Sequence, residues 1–251
     1  FFYMPQGKPT SLAEIRKHKD TLAGTVTRHT IPCDEMVAGK QRTVHLYQPA
    51  APGPYPLLVV WDGKDYLKRA HLPYMLDALI TQKRIQPIAM ALVDNGGWAR
   101  WMEYVCSEST LGFLLTRVLP LAQTQLNLVS LEQKPGAYGV LGASMGGLIA
   151  MYTGLRLPRI FGHVLSQSGA FRMEGNWDML AMDLVRLCPP QGQKIWMDVG
   201  LYDIADLLPA NRSMRDLLQA GGYNFAYREY PAGHNYPAWR DEVWRGLEYC
   251  F

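Results

Sequence analysis

The sequence predicts an α/β protein built on a mainly parallel, doubly wound sheet, with an antiparallel N-terminal hairpin at one edge. Three observations carry that prediction. Residues 56–61 and 87–93 are apolar runs without alternation, as a strand covered on both faces requires. Segments with apolar residues at helical spacing fall between such runs, and alternating β and α implies parallel crossovers. Third, a run from Tyr138 to Leu141 stops at Gly142-Ala143-Ser144-Met145-Gly146-Gly147 and restarts as an amphipathic segment, which reads as strand, sharp turn and helix.

Taken in order, Ser11 and Glu14 form a capping-box spacing, predicting a short charged helix through about Lys19 within a helical extension over residues 1–22. Residues 25–31 and 42–47 alternate in the β manner around a turn at 34–40. The strand at 56–61 ends in a loop, Asp62-Gly63-Lys64-Asp65-Tyr66, and Leu72, Met75, Leu76, Leu79 and Ile80 predict a helix over 72–83. The strand at 87–93 and a loop through Trp98 and Trp101 come next, then a helix over 110–126 bent at Pro120. The serine helix is expected to reach about Leu157. Strands follow at 162–166, 195–199 and 225–230, with helices at 177–187, 211–220 and 239–249, the second closed by Gly221-Gly222. At 251 residues and 48% hydrophobic composition, the chain is expected to form a single domain over 1–251.

Composition narrows the function classes. The net charge is +3, with no basic block interleaved with aromatics, so nucleic acid is not an expected partner. Cys33, Cys106, Cys188 and Cys250 are widely spaced with no Cys-x-x-Cys pair; they read as buried thiols rather than a zinc site or disulfide framework. No apolar run reaches the roughly 18 residues of a membrane helix, and the first residues lack the pattern of a secretion signal. A cytoplasmic location is therefore the expectation, although the chain does not begin with Met. No metal-ligand cluster, phosphate loop or dinucleotide fingerprint is present, so no cofactor and no metal are expected.

Ligands of open α/β sheets sit at the carboxyl ends of the strands, so reactive residues just past strand ends are the candidates. Ser144 is one: a strained turn projects its hydroxyl, and glycines at 142 and 146 let strand and helix approach. The Met145 N–H at the helix start offers half of an oxyanion hole, and Gly63 or Lys64, in the loop beside the serine strand, the other half. Of six histidines, His29 and His45 fall in the hairpin and His18 in a charged helix. His71 opens a helix and His163 lies at the wrong end of a strand. His234, in the loop after 225–230, remains as the base for the serine. Asp203 follows Gly200-Leu201-Tyr202 after the strand at 195–199, Asp206 lies one turn further, and Asp198 falls inside the strand; Asp203 is preferred as the acid that orients the imidazole, with Asp206 the alternative. Serine, acid, histidine is the chain order of the α/β-hydrolase arrangement.

Gly142-Ala143-Ser144-Met145-Gly146-Gly147, Leu165-Ser166-Gln167-Ser168-Gly169, the Asp62-Gly63 loop, Gly200-Leu201-Tyr202-Asp203 and Gly233-His234-Asn235-Tyr236 with Trp239-Arg240 together resemble an esterase family of the α/β-hydrolase fold, in its enterochelin (ferric-enterobactin) esterase branch. The resemblance runs from about Arg42 to the end. It implies a serine carboxylic-ester hydrolase acting through an acyl-enzyme, with Ser144 as nucleophile, His234 as base, Asp203 as acid and Arg100 near the substrate. Too few residues precede the first strand to form the N-terminal domain of the cytoplasmic enterochelin esterases, so a member lacking it is expected. The family also holds feruloyl esterases, S-formylglutathione hydrolases and mycolyl transferases, which keeps feruloyl, acetyl or broad esterase activity and acyl transfer as alternatives, and a non-catalytic binding module as a third class. The partner implied is a small-molecule ester. Trp98, Trp101, Tyr66, Tyr236 and Trp239 would then shape an aromatic acyl pocket, unless these rings simply cover the core. For Arg100 the structural alternative is a pair with Glu103.

Overall fold

The computed structural model describes Pro9, residues 22–173 and residues 177–251; the helix expected over 11–19 lies outside the described residues. In chain order the strands are β1 (Thr25–Pro32), β2 (Gln41–Gln48), β3 (Leu57–Trp61), β4 (Ala89–Val93), β5 (Gly139–Ala143), β6 (His163–Gln167), β7 (Arg172–Met173), β8 (Trp177–Asp178), β9 (Lys194–Tyr202) and β10 (Asn224–Gly233). The helices are α1 (Gly63–Lys68), α2 (Leu72–Thr81), α3 (Arg100–Tyr104), α4 (Glu108–Phe113), α5 (Leu119–Gln125), α6 (Met145–Arg156), α7 (Leu180–Leu187), α8 (Leu207–Ala220) and α9 (Tyr236–Cys250). Eight strands form one sheet in the order β1-β2-β4-β3-β5-β6-β9-β10. β1 pairs antiparallel with β2 and β2 antiparallel with β4, and every other pairing within this sheet is parallel. This is the doubly wound sheet with an edge hairpin that the sequence predicts.

The non-alternating runs have their cause in the layering. Every residue of β3, β4 and β5 is buried. Leu57, Val59 and Trp61 face the same apolar layer as Leu148, Ile149 and Tyr152 of α6, whereas Leu58 and Val60 face Leu72, Leu76 and Leu79 of α2 and Val243 and Leu247 of α9. Helices on both faces leave no strand position for a polar side chain.

Several boundaries differ from expectation for local reasons. The loop after β3 is a helical turn, α1, entered through Asp62 in the left-handed conformation. The helix expected over 110–126 begins at Glu108, where the Ser107 hydroxyl accepts the Thr110 N–H at 3.2 Å. It widens to a π turn over Leu114–Val118 just before Pro120, which has no N–H to give the carbonyl four residues back. Trp177 and Asp178 belong to the small hairpin β7–β8, so that helix starts only at Leu180. The next helix starts at Leu207 and the last at Tyr236, where Asn235 caps the Ala238 N–H at 3.0 Å.

One buried ion pair fixes the loops at the upper edge of β2 and β4. Arg42 holds Glu103 through two bonds of 2.7 and 2.9 Å, both side chains nearly inaccessible. Glu103 also accepts the N–H groups of Ala38 and Gly96. Burial opposes the Arg42 charge, but Glu103 outweighs it and raises the guanidinium pKa. Glu103→Ala would strand that cation, so urea unfolding is expected to show a loss of about 3–5 kcal/mol; a loss under 1 kcal/mol would mean the pair is dispensable.

Candidate active site

Ser144 sits at the tip of β5 with φ 60° and ψ −122°, a conformation that costs a non-glycine residue strain. The glycine at 142 is a steric necessity: a Cβ there would lie 2.1 Å from the Gly146 carbonyl oxygen. The elbow is tied to β6, since the Ser144 N–H donates to the Gln167 carbonyl at 2.8 Å and the Ser144 carbonyl accepts the Ala170 N–H at 3.1 Å. Met145 opens α6, so its N–H is among the donors a helix start leaves without an intrahelical acceptor.

His234 follows β10 past a register shift between Tyr230 and Gly233, an irregularity that re-aims the chain. Its Nδ1 lies 2.7 Å from Asp203 Oδ1, and its ring meets the Trp239 indole edge-on at 4.8 Å. Asp203 comes one residue after β9, whereas Asp206 is exposed ahead of α8 and makes no side-chain cap bond. Of the two acids considered, the structure thus brings Asp203 to the histidine. The Ser168 hydroxyl donates to Asp203 Oδ2 at 2.6 Å and accepts the Trp239 indole N–H at 3.1 Å, and the Ile204 N–H donates to Oδ1 at 2.7 Å. Burial would raise the Asp203 carboxyl, but the bonds from His234 and Ser168 outweigh it and hold it below its ordinary range. The Ser168 N–H in turn donates to the Asp198 carbonyl at 2.6 Å. The tips of β5, β6, β9 and β10 are thereby linked in sequence from Ser144 through Ser168 to Asp203 and His234.

Ser168 is a site residue to which sequence reasoning assigned no role. Its signal was a polar Ser-Gln-Ser group running off the end of a buried strand, and side-chain direction at Ser168 is set by a left-handed backbone, φ 48°. Beneath it lies a closed polar layer. The Tyr66 hydroxyl donates to Gln167 Oε1 at 2.9 Å, and Gln167 Nε2 donates to the Trp239 carbonyl at 3.0 Å and to Asp198 at 3.2 Å. Trp196 also donates to Asp198, at 2.8 Å. Complete burial pushes the Asp198 carboxyl up to about 7. A carboxyl whose pKa is higher folded than unfolded binds its proton more tightly in the native state, so its contribution falls as pH rises from about 4 towards 7. Asp198→Asn removes that titration. Its stability relative to the wild type is expected to improve between pH 5 and pH 8, by at most about 4 kcal/mol; a pH-independent difference in denaturant midpoints would contradict this.

The remaining site residues separate into two groups. Trp98, on the turn after β4, is fully exposed, and Trp101, in α3, is half-exposed. Tyr66 is completely enclosed, and Tyr236 and Trp239 are buried, against the expectation that they shape an open pocket. Their rings interlock instead: Tyr236 stands edge-on to Tyr66 at 5.5 Å and to Trp239 at 4.8 Å, with the Arg69 guanidinium over its face at 4.6 Å. Arg100 does not pair with Glu103, which Arg42 occupies, but with Asp62, through Nε at 2.7 Å and Nη2 at 2.6 Å. The two proposed oxyanion donors of the β3 loop, Gly63 and Lys64, open α1 directly after Asp62. The backbone there is pressed on β4, where a Gly63 Cβ would come within 2.3 Å of the Leu92 carbonyl carbon.

The other histidines lie elsewhere. His29 bonds Thr27 on β1, His45 lies 3.9 Å from Asp94, and His163 packs on Phe251 at the opposite edge; His18 is outside the described residues. Cys33 and Cys250 are buried as expected, Cys106 is half-buried and Cys188 is exposed. Among the described residues, no helix is long and apolar enough to cross a membrane.

Comparison with known proteins agrees with this architecture. The iron(III) enterobactin esterase of Dickeya dadantii is 29% identical over 226 residues, covering 83% of this chain and 51% of that protein. The iron(III) salmochelin esterase of Escherichia coli O6:H1 is 26% identical, covering 84% of this chain and 55% of that protein. The chain thus spans about half the length of these relatives. The crystal structure of the Shigella flexneri enterobactin esterase in the presence of enterobactin superposes with a TM-score of 0.80 at 22% identity, over 89% of this chain and 58% of that one. The ferulic acid esterase of the anaerobic fungus Anaeromyces mucronatus gives 0.73 at 16% identity, over 90% of each chain. At those identities the structural likeness concerns the fold alone. The family model described as "Putative esterase" matches residues 36–249, and on that match the chain belongs to this esterase family of α/β architecture.

Proposed function

We propose that this chain hydrolyses carboxylic esters through a covalent acyl-enzyme, with a siderophore lactone of the iron(III) enterobactin type as substrate. The observation that carries the reading is the 2.7 Å bond between His234 and Asp203 at the same sheet edge as the strained Ser144. With Nδ1 committed to Asp203, the imidazole has Nε2 left for the serine proton. Ser144 Oγ attacks the ester carbonyl as His234 takes its proton, and the N–H groups of Met145 and of Gly63 or Lys64 stabilise the oxyanion. The imidazolium then protonates the leaving alkoxide. Water repeats the sequence on the acyl-enzyme and frees the acid. The siderophore part of the reading is supported by the names of the relatives at 29% and 26% identity; the exposed rings of Trp98 and Trp101 flank Arg100 in sequence.

The test is turnover of p-nitrophenyl butyrate, iron(III) enterobactin and methyl ferulate. A kcat/KM for iron(III) enterobactin at least tenfold above the others is expected. Preference for methyl ferulate would replace the substrate and keep the mechanism, and product partition towards an added alcohol would replace hydrolysis by acyl transfer.

Ser168 gives a second check on the mechanism. Glycine suits the left-handed backbone at this position, so Ser168→Gly should fold while losing the hydroxyl that Asp203 accepts. One charge-assisted hydrogen bond contributes about 1.5–3 kcal/mol, so kcat is expected to fall by about ten- to a hundredfold with KM nearly constant. An unchanged kcat would show that Asp203 does not need this bond.

A further inference from the structure

We infer that Asp62 and Arg100 form a strut that locks the β3 loop onto the serine elbow, and that both are positioning residues for the oxyanion hole rather than a clamp for substrate. The inference rests on the acyl-enzyme reading above and adds to it how the second oxyanion donor is held in place.

Asp62 stands between β3 and Gly63 in the left-handed conformation, φ 58° and ψ 43°, and its side chain is 1% exposed. Both carboxylate oxygens are used. Oδ1 accepts Arg100 Nε at 2.7 Å and Asn95 Nδ2 at 2.6 Å, and Oδ2 accepts Arg100 Nη2 at 2.6 Å. The Asp62 N–H donates to the Tyr104 hydroxyl at 3.2 Å. Arg100 Nη2 also reaches the carbonyl of Ala143, the residue before Ser144, at 3.3 Å. On the far side, a Cβ at Gly146 would lie 2.9 Å from Asp62 Oδ2, so the carboxylate rests against the first turn of α6.

The consequence is geometric. Gly63 is covalently next to Asp62, and Ser144 and Met145 follow Ala143, so one guanidinium spans the two backbone segments that carry the proposed oxyanion donors. Such donors are effective only when their relative position is fixed before the reaction. The same contacts argue against Arg100 as an anion receptor. A guanidinium recognises a carboxylate or phosphate through a paired fork of N–H groups. Here the Nε–Nη2 fork is occupied by Asp62, whose charge also offsets the cation. Burial opposes the Arg100 charge, and the bond to Asp62 more than compensates, leaving its pKa raised.

The test compares Arg100→Ala, Arg100→Lys and Asp62→Asn with the wild type on two esters of one leaving group, neutral p-nitrophenyl butyrate and anionic mono-p-nitrophenyl succinate. Loss of a single oxyanion donor typically lowers kcat by about 10²–10³-fold. Arg100→Ala and Asp62→Asn are each expected to lose about 10²-fold in kcat on both esters, with KM within about threefold of the wild type. Binding of a boronic acid that forms a tetrahedral adduct on the serine should weaken in parallel. Arg100→Lys retains the charge and guards against misfolding, yet an ammonium cannot hold both carboxylate oxygens and the Ala143 carbonyl, so it should show the same kcat loss with a native circular dichroism spectrum. A loss confined to KM for the anionic ester would overturn the strut in favour of a substrate clamp, and an Asp62→Asn enzyme with wild-type kcat would overturn it outright. The underlying mechanism is checked separately: if Ser144→Ala retains the wild-type rate on p-nitrophenyl butyrate, that reading fails and the strut with it; if activity depends on Ser144 but not on Asp62 or Arg100, only the strut fails.

Discussion

Ser144→Ala is expected to lower kcat on any ester substrate by about 10⁵–10⁶-fold with the fold intact. Removal of a nucleophile that works as a unit with its base costs about as much as removal of the whole unit, and what remains is the contribution of binding and the oxyanion hole. Alanine keeps the backbone contacts that define the elbow, because the Ser144 N–H to Gln167 and the Ser144 carbonyl to Ala170 do not involve the hydroxyl. Thermal denaturation should therefore place the variant close to the wild type. A variant that retains more than about one per cent of wild-type kcat would mean that the nucleophile is elsewhere.

Asp203→Asn is expected to cost about 10⁴ in kcat, the effect of presenting the base in the wrong tautomer. The amide is nearly isosteric, but it can donate to His234 Nδ1, which would move the imidazole proton to Nε2 and remove the acceptor that the serine needs. Asp206→Asn, in contrast, should leave kcat within about twofold, because Asp206 is exposed and forms no side-chain bond at the start of α8. The pH dependence follows from the direction of the Asp203 shift. Its folded pKa is depressed, so the carboxylate contributes stability above its unfolded pKa and loses it only as pH falls through the still lower folded value. The charge that orients His234 is thus present throughout the range in which an imidazole can act as a base, near pH 6–7 and above. The low-pH limb of kcat/KM should accordingly have the slope of one proton. A second ionisation within that limb would show that Asp203 is being protonated as well.

The proposed trio could be picked out in the sequence because parallel sheets place polar loop residues at one edge. Once the buried runs are recognised as strands, the polar residues just beyond them, Ser144, Asp203 and His234, are the natural candidates, and the chain order of the three supplies their roles. Contacts decided by sheet order were not legible. Glu103 is three residues from Arg100 in sequence, yet β4 lies between β2 and β3, so Arg42 arrives from one side to take Glu103 and Asp62 from the other to take Arg100. The aromatic residues show the same limit. Nothing local distinguishes Tyr66, whose hydroxyl is drawn inward by Gln167, from Trp98, which stands in solvent. Ser168 was visible in the sequence only as part of a motif, without a role, because its bonds reach Asp203 and Trp239, 35 and 71 residues away along the chain.

The most direct test of the acyl-enzyme account is reaction with a fluorophosphonate, followed by intact mass and peptide mapping of the wild type and of Ser144→Ala and His234→Ala. One adduct per chain, on the peptide containing Ser144, is the expected result, with none in Ser144→Ala and a greatly slowed reaction in His234→Ala. Labelling at another residue, or labelling of Ser144→Ala at the wild-type rate, would contradict the assignment of Ser144 as the nucleophile.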